Sequence, residues 1–244
     1  MKFTYEEYQN LIEKLKKSEY SFANYYNWNA FSKCVILRHD IDYDIDKAVA
    51  LALLEKNIGV HSTYFVLISS DFYNVFSRKI QEELQKIIDC GHEIGIHFDE
   101  VKYPEAEGNV ERLSELIQNE AHILGQALGR KINVVSMHRP SKGVLDSNLQ
   151  IPGMINSYCQ TFFKEFKYLS DSRRQWREPV DEIITSNEYD KIHLLTHAFW
   201  YNDEECNIHD SISQFINGGN NFRFKCLLEN ITDLESIMSR DEIK

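Results

Sequence analysis

The sequence predicts an α/β protein whose parallel strands close into a (β/α) barrel. Stretches with strand character alternate with stretches with helix character along most of the 244 residues, and this alternation is typical of parallel βα units. The length also suits a barrel, for which about 250 residues is usual. An open doubly wound sheet is the alternative. The chain has no G-x-G-x-x-G and no G-x-x-x-x-G-K-[ST] motif, which weakens that alternative.

Each predicted element rests on its periodicity and on the residues that bound it. The helix over 4–18 begins with a capping box from Thr4 to Glu7. Gly91 and Gly129 stand where the helices over 78–90 and 109–129 end, as glycine commonly does at a helix C-terminus. The predicted strands are 33–40, 60–68, 93–97, 132–138, 166–172 and 190–197, and the other predicted helices are 44–57, 178–187 and 233–243.

The chain is predicted to form one domain over residues 1–244. It is 43% hydrophobic, which is enough to bury one sizeable core. No linker, repeat or low-complexity tract divides it. The motifs described below lie within about 33–201, so the helix over 4–18 and the tail over 202–244 are expected to be additions to that core.

The net charge argues against a nucleic-acid partner, and the length of the longest apolar run argues against a membrane span. The formal net charge of −11 disfavours contact with nucleic-acid phosphates, and no basic cluster offsets it. The longest apolar run, AVALALL, is too short to span a bilayer. No signal peptide is visible, and the five scattered cysteines without a C-x-x-C motif fit reduced thiols. We therefore expect a cytoplasmic protein with no nucleic-acid partner and no membrane span.

Ionisable side chains gather at the carboxyl ends of five predicted strands. Active sites in parallel α/β folds are built at this edge. Residues two apart on a strand share a face, so Asp40 and Asp42 should point the same way, and so should His97 and Asp99. The five strand ends carry Asp40 and Asp42, His97 and Asp99, His138 and Arg139, Asp171, and His197.

Taken singly, several polar residues have ordinary structural explanations. A strand-end aspartate such as Asp42 or Asp44 is often a helix N-cap. His92 and His193 fit histidines that are buried and hydrogen-bonded in a core. The coincidence of five strand ends is what favours a functional site.

Six short motifs occur in an order that matches one enzyme family. They are RHDID (38–42) in the place of T-F-D-D-G, STYFVL (62–67) near T-F-F, GHEIGIHFDE (91–100) matching G-H-E-I-G-N-H-[ST]-x-x-H through His97, Arg139-Pro140, DSRRQW (171–176) loosely matching D-x-x-W, and LTH ending at His197. This set resembles the polysaccharide deacetylase family, which is carbohydrate esterase family four with its NodB-like domain. It is similar to a divergent branch found among bacterial surface-polysaccharide (O-antigen) genes.

The resemblance implies a fold, a reaction and a set of roles. The family folds as a distorted (β/α) barrel and removes N- or O-acetyl groups with a divalent metal, usually zinc. By this resemblance Asp40 is the catalytic base, Asp42 and His97 bind the metal, Arg139 orients the base, and His197 is the general acid. The match also carries over Asp171 as a catalytic residue and Trp176 as a substrate-binding residue.

The set of metal ligands that the resemblance implies is incomplete in this chain. The family's second metal-binding histidine falls on Val101, which cannot ligate. A catalytic zinc usually keeps three protein ligands. His138 is the favoured third ligand because nitrogen suits zinc, Asp99 is the alternative, and His61 and Glu100 are lesser candidates.

The predicted function is metal-dependent removal of an acetyl or other acyl group from an amino sugar or glycan precursor. An acylated sugar, a sugar nucleotide or a lipid-linked O-antigen precursor would be the substrate. The aromatic run Phe199, Trp200 and Tyr201 either stacks on sugar rings, with Trp200 as the contact, or packs at the barrel edge. The alternatives are a catalytically inactive glycan-binding or assembly protein, and a metal-dependent hydrolase of a different amide or ester.

Overall fold

One parallel sheet organises the fold. The computed structural model describes residues 1–243. Within them the strands are β1 (Ser21–Ala23), β2 (Cys34–Ile41), β3 (Thr63–Val66), β4 (Glu93–Phe98), β5 (Val134–Met137), β6 (Ile155–Asn156), β7 (Lys167–Ser170) and β8 (Lys191–Thr196). All pairs are parallel, in the order β6-β5-β4-β3-β2-β8-β7, with β1 beside the first half of β2. The predicted α/β class is confirmed, and β1 and β6 are additions that the sequence patterns did not indicate.

Helices connect most of these strands. Within residues 1–243 they are α1 (Tyr5–Lys17), α2 (Ile45–Asn57), α3 (Arg78–Asp89), α4 (Val110–Leu128), α5 (Lys142–Ser147), α6 (Val180–Ser186), α7 (Ile208–Asn230) and α8 (Leu234–Ile237). The helix predicted over 233–243 is broken, with α8 followed by a 3-10 turn at Arg240–Glu242. None of the helices described in residues 1–243 is both long and apolar enough to cross a membrane.

Local capping explains where several helices begin and end. Thr4 Oγ1 accepts a hydrogen bond from the Glu7 amide at 3.2 Å, at the start of α1. Asp44, not Asp42, caps α2, because its carboxylate accepts from two backbone amides of the first turn. Gly129 ends α4 at φ 63°, a conformation that glycine adopts without strain. Asp42 is therefore left for another role.

The sheet curls so that its inner face forms the wall of an open barrel. Arg38 on β2 donates to Ser136 Oγ on β5 at 2.5 Å, although two strands lie between them. In a flat sheet β2 and β5 would be about 14 Å apart, so only curvature brings these side chains together. No ladder joins β6 to β7 within residues 1–243, so the barrel is open on that side. This matches the distorted barrel that was predicted.

Apolar side chains fill the part of the barrel near the amino ends of the strands. Gly95 on β4 is needed there, since a Cβ at this position would lie 2.5 Å from the Phe65 ring. The Phe65 ring therefore occupies the space that a side chain at position 95 would need, as in a closely packed core. The buried cluster comprises Ala23, Tyr25, Cys34, Ile36, Phe65, Val134, Phe162 and Phe166.

The residue contacts divide the chain into two compact units, Met1–Asp203 and Glu204–Lys244. The first contains the whole sheet and α1 to α6, and the second contains α7 and α8. Every candidate site residue lies in the first unit. That the chain forms one domain over 1–244 stays a prediction.

A buried carboxylate on α2 links that helix to α1 and the outer face of the sheet. Glu55 has no exposed surface and accepts from Tyr8 at 2.5 Å, Ser62 at 2.5 Å and Tyr64 at 2.8 Å, while His39 Nε2 lies 2.9 Å away. Burial favours the neutral acid, but His39, His92 and the hydroxyl donors lower the pKa of Glu55 to about 2.

Glu55→Ala should lower the free energy of unfolding by about 3–5 kcal/mol, because it leaves several buried donors without an acceptor. Urea denaturation at pH 7 measures this. Glu82→Ala on the exposed side of α3 is the matched control and should change stability by less than about 0.5 kcal/mol. Since the folded pKa lies below the ordinary 4.5, the wild-type advantage is present above pH 4.5 and disappears as the pH falls through 2. Equal loss in both variants would contradict this role for Glu55.

Candidate metal centre

The curled sheet brings residues from five strands to one edge. Asp40 lies near the end of β2 and Asp42 follows that strand, while His97 lies near the end of β4. His138, Asp171 and His197 each follow shortly after β5, β7 and β8. The carboxyl ends of parallel strands point the same way, so these side chains converge as the sequence predicted.

Three ligand atoms form a nearly equilateral triangle, here called the ligand triangle. Asp42 Oδ1 lies 3.2 Å from His97 Nε2 and 3.3 Å from His138 Nδ1, and the two imidazole nitrogens are 3.2 Å apart. Ligand atoms held about 2.0–2.1 Å from a tetrahedral zinc ion would be about 3.3 Å apart. The size of the triangle therefore fits three ligands of a tetrahedral metal site.

The burial and chemistry of the ligand triangle also fit a cation. The side chains of Asp42 and His97 are 10% and 1% exposed. Asp42 Oδ1 is buried and accepts no well-oriented hydrogen bond from the residues described, an arrangement that is costly without a compensating charge. Burial would raise the pKa of Asp42, but His138, His97 and His197 hold it well below its usual range. An anionic oxygen and two imidazole nitrogens are the donors that zinc prefers.

A hydrogen bond fixes the orientation of His97. Its Nδ1 lies 2.9 Å from Ser136 Oγ on the neighbouring strand, which leaves Nε2 directed at the ligand triangle. Metal-binding histidines are commonly held through their second nitrogen in this way. Ser136 was not identified from the sequence, although it precedes His138 by two residues and so shares its face of the strand.

Arg38, not Arg139, holds the predicted base. Arg38 Nε donates to Asp40 Oδ1 at 2.8 Å, and its second guanidinium nitrogen donates to Oδ2 at 2.7 Å. Both side chains are buried, at 0% and 3% exposed. Burial alone would raise the pKa of Asp40, but Arg38 and then His97 lower it. The i,i+2 spacing of Arg38 and Asp40 on β2 was the signal available in the sequence, because it places them on one face.

Arg139 and Asp99 pair with each other outside the ligand triangle. Arg139 donates to the Asp99 carboxylate, and the Arg139 side chain is 60% exposed. Asp99 also caps the 3-10 turn that begins at Glu100, by accepting from the Val101 amide. Asp40 is contacted by Arg38, and the role of Arg139 in orienting Asp40 stays a prediction. Of the four candidates for a third ligand, His138, Asp99, His61 and Glu100, only His138 belongs to the triangle.

Asp171 accepts hydrogen bonds from His197 and favours its protonated form. Its Oδ1 lies 2.6 Å from His197 Nδ1, both carboxylate oxygens accept from the His197 amide at 3.0 and 3.1 Å, and Tyr201 donates to Oδ2 at 3.2 Å. Burial disfavours the imidazolium, but Asp171 outweighs it and raises the pKa of His197 to about 9. His197 Nε2 lies 3.9 Å from Asp42 Oδ2, so a protonated nitrogen adjoins the triangle.

The aromatic residues near the site pack against one another. Trp200 is 9% exposed, and its ring centre is 4.8 Å from that of Phe199, which favours the packing interpretation over stacking on a sugar. The indole nitrogen of Trp176 is buried, and its part in substrate binding stays a prediction. Tyr43, which follows Asp42 and was not identified from the sequence, packs at 5.3 Å from Phe72 and 5.0 Å from Phe199.

No protein-family model matches this chain, and no curated protein matches it. Among solved structures it is similar to a CE4 esterase from Streptococcus mutans, at 17% identity over 79% of this chain and 82% of that one, with a TM-score of 0.48. It is also similar to the peptidoglycan deacetylase PdaC from Bacillus subtilis (15% identity, 69% and 76% covered, TM-score 0.43) and to a CE4 family pseudoenzyme from Bacillus anthracis (15%, 77% and 60%, 0.41). The similarity to these neighbours is one of fold.

Replacing His138 should weaken binding of Zn²⁺ far more than replacing Asp99. We expect His138→Ala to lower the affinity at least about 100-fold, more than the loss of an outer hydrogen-bond partner usually costs. Asp99→Asn should leave the affinity within a factor of three of wild type, on the order of 0.6 kcal/mol. Isothermal titration calorimetry with a competing chelator measures both. The opposite ranking would assign the third ligand to Asp99.

Asp171→Asn should lower the pKa of His197 from about 9 toward the ordinary 6.5, because the variant removes the anion beside Nδ1. An NMR titration of the metal-free protein measures this, with Asp210→Asn in the second unit as the matched control. Since the folded pKa exceeds 6.5, the stabilisation from this pair is complete below pH 6.5 and is lost as the pH rises through 9. A His197 pKa that stays near 9 in Asp171→Asn would contradict the assignment.

Proposed function

We propose that this chain is a metal-dependent deacylase that removes an acetyl or other acyl group from an amino sugar or glycan precursor. One observation carries the proposal. The ligand triangle, a buried aspartate that can serve as a base, and a protonated histidine that can serve as an acid adjoin one another at the carboxyl edge of a parallel barrel. Amide or ester hydrolysis needs these three functions together. On this proposal the chain is a divergent polysaccharide deacetylase.

Asp42, His97 and His138 would hold the metal. When bound there, a divalent ion, most simply Zn²⁺, would supply Lewis-acid chemistry toward an acyl carbonyl and toward water. With one carboxylate among its three ligands, a site loaded with a divalent ion would keep a net positive charge, which would favour the negative charge that develops during hydrolysis.

Asp40 would accept the proton of the attacking water. Its Oδ2 lies 3.6 Å from His97 Nε2, which places the carboxylate beside the ligand triangle. The pair with Arg38 keeps Asp40 ionised and fixes its plane, and each carboxylate oxygen has a second lone pair for a proton. Arg38 is thus a positioning residue that acts through Asp40.

His197 would protonate the leaving amine or alkoxide. With its Nδ1 held by Asp171, the imidazolium presents Nε2 as the donor next to Asp42. A pKa of about 9 keeps this acid protonated at neutral pH. Asp171 therefore sets both the direction and the protonation of the acid.

An acylated sugar in surface-polysaccharide synthesis is the proposed substrate class, such as a sugar nucleotide or a lipid-linked O-antigen precursor in the cytoplasm. Tyr43 directly follows Asp42, and its ring centre lies 5.3 Å from that of Phe72, which supports a sugar-binding rim. Phe72 is 54% exposed, and an aromatic side chain with exposed surface suits contact with a sugar ring.

A catalytically inactive glycan-binding protein is the second candidate. It is favoured by the bidentate pair of Arg38 with Asp40, because a carboxylate with a lowered pKa is a weaker base. This candidate predicts that a glycan binds and raises the melting temperature, with no turnover.

Acetate release decides between the two candidates. Zinc-loaded protein should release acetate from N-acetylated chito-oligosaccharides, UDP-N-acetylglucosamine or O-acetylated xylan, and the chelator-treated protein should not. Asp40→Asn should lower kcat at least about 100-fold, as expected for loss of a general base, while Asp210→Asn leaves it unchanged. Glycan binding without acetate release by the zinc-loaded wild type would overturn the enzyme proposal.

Two arginine variants serve as the paired control in the same assay. Arg38→Lys keeps the charge but loses the bidentate geometry, so it should lower kcat with little change in KM. Arg139→Lys should leave both constants near their wild-type values. If Arg139→Lys were the damaging change, the base would be oriented as the sequence resemblance implied.

A further inference from the structure

A tyrosine that the sequence patterns did not indicate lies beside the predicted base. Tyr158 comes two residues after β6, at the carboxyl edge of the sheet where the other site residues gather. Arg38 Nη2 donates to the Tyr158 hydroxyl at 3.3 Å and to Asp40 Oδ2 at 2.7 Å. Because both oxygens bond the same nitrogen, the phenol and the carboxylate are neighbours in the site.

The ring of Tyr158 is held in place from several sides. Its centre lies 4.7 Å from Arg38 Cζ, which is a cation–π contact, and 5.5 Å from the ring centre of Phe163. The Tyr158 amide donates to Asn156 Oδ1 at 2.9 Å. These contacts fix the position of the hydroxyl and do not use its proton.

The hydroxyl proton of Tyr158 has no acceptor among the residues described. A guanidinium nitrogen can only donate, so this proton points away from Arg38. Tyr168 on β7 also bonds the Tyr158 hydroxyl, and burial together with Tyr158 raises the pKa of Tyr168 well above its usual range. A hydrogen bond raises the pKa of the phenol that donates it, so Tyr168 is the donor. Within residues 1–243, the Tyr158 hydroxyl therefore accepts twice and donates to none of its neighbours.

Tyr158 is also accessible to a ligand. β6 and β7 are the two edges of the open barrel, with no ladder between them in residues 1–243, and Tyr158 meets Tyr168 across this opening. Arg38 and Asp40 are buried, whereas Tyr158 is half-buried. A phenol that accepts from a cation is polarised and becomes a stronger donor. Tyr158 therefore presents a strengthened O–H donor beside the predicted base.

We propose that Tyr158 is a further catalytic residue, whose hydroxyl donates to the carbonyl oxygen of the substrate's acyl group. The inference rests on the proposed deacylase function. Hydrolysis forms a bond between the water oxygen and the carbonyl carbon, and the electron pair of the C=O double bond moves to the carbonyl oxygen. A fixed donor at that oxygen stabilises the negative charge that develops there.

The protons of the reaction balance without one from Tyr158. Asp40 accepts the proton of the attacking water. His197 gives a proton to the leaving amine or alkoxide when its bond to the acyl carbon breaks, and Tyr158 keeps its own proton throughout. Each of the three side chains thus acts at a different atom, namely the water oxygen, the leaving group and the carbonyl oxygen.

Tyr158→Phe tests the hydroxyl alone, because phenylalanine keeps a ring over Arg38. In the acetate-release assay kcat should fall about 100-fold, as for loss of one donor to a developing oxyanion. KM should change little, because this hydrogen bond strengthens only as charge develops. Tyr26→Phe is the matched control, since it removes a hydroxyl bonded to Glu93 at 2.6 Å at the amino end of β4, and it should keep the wild-type kcat. A wild-type kcat in Tyr158→Phe would overturn the inference and leave the deacylase function standing.

Infrared spectroscopy separates contact with the acyl group from support of Arg38. The sample is zinc-loaded Asp40→Asn bound to UDP-N-acetylglucosamine or to an N-acetylated chito-oligosaccharide labelled with ¹³C at the acetyl carbonyl. The base is already absent from this variant, so an effect of Tyr158 on the base cannot move the carbonyl band. A hydrogen bond weakens the C=O bond, so the band should lie at lower frequency in Asp40→Asn than in Asp40→Asn/Tyr158→Phe.

Two outcomes of these measurements count against the inference in different ways. Equal carbonyl frequencies in the two variants would show that Tyr158 does not touch the acyl group, whether or not the wild type releases acetate. A wild type that neither binds nor hydrolyses any of these acetylated sugars would overturn the inference together with the proposed function.

Discussion

The inward curl of the parallel sheet is the constraint on which the rest of the site depends. Arg38 on β2 bonds Ser136 on β5, and Ser136 in turn bonds His97 on β4. The contact between Arg38 and Ser136 exists only because the strands bend toward one another, whereas Ser136 and His97 are register partners on adjacent strands. Gly95 allows the Phe65 ring to lie against β4. The apolar cluster near the amino ends of the strands and the polar side chains at their carboxyl ends then lie in the same barrel interior. The curl is thus both a packing solution and the means of assembling the site.

Three aspartates in this interior differ in how their charge is balanced. Asp40 is paired with Arg38 through two hydrogen bonds, and Asp171 is surrounded by donors from His197 and Tyr201. Asp42 faces two imidazole nitrogens and has a buried oxygen without a well-oriented donor. A low-dielectric interior makes such an imbalance costly. Asp40 and Asp171 therefore have their counter-charges within the protein. Asp42 is the aspartate whose surroundings suit an added cation.

Arg139 and Asp99 show why a motif match alone does not identify the arginine that contacts Asp40. The Arg139-Pro140 motif is present, yet Arg139 pairs with Asp99 at the surface. Arg38 already satisfies Asp40 from the same strand, at a distance fixed by the i,i+2 geometry of β2. A short motif shows only which residue types occur in which order. The partner of a buried carboxylate depends on which cationic side chain reaches it in the fold with the least loss of hydration.

The sequence by itself determined the α/β class, the cap at Thr4, and the ionisable residues at five strand ends, whereas it left Asp42 and Asp44 as alternative caps of α2. These features follow from periodicity and from hydrogen bonds within a few residues, which act before any long-range packing. Only the tertiary structure decided that His138, not Asp99, joins Asp42 and His97, that Arg38 holds Asp40, and that Trp200 is packed away. Each of these depends on how far the sheet bends and which side chains face inward across strands distant in sequence. That information lies in non-local packing, because the curvature is a property of the whole sheet.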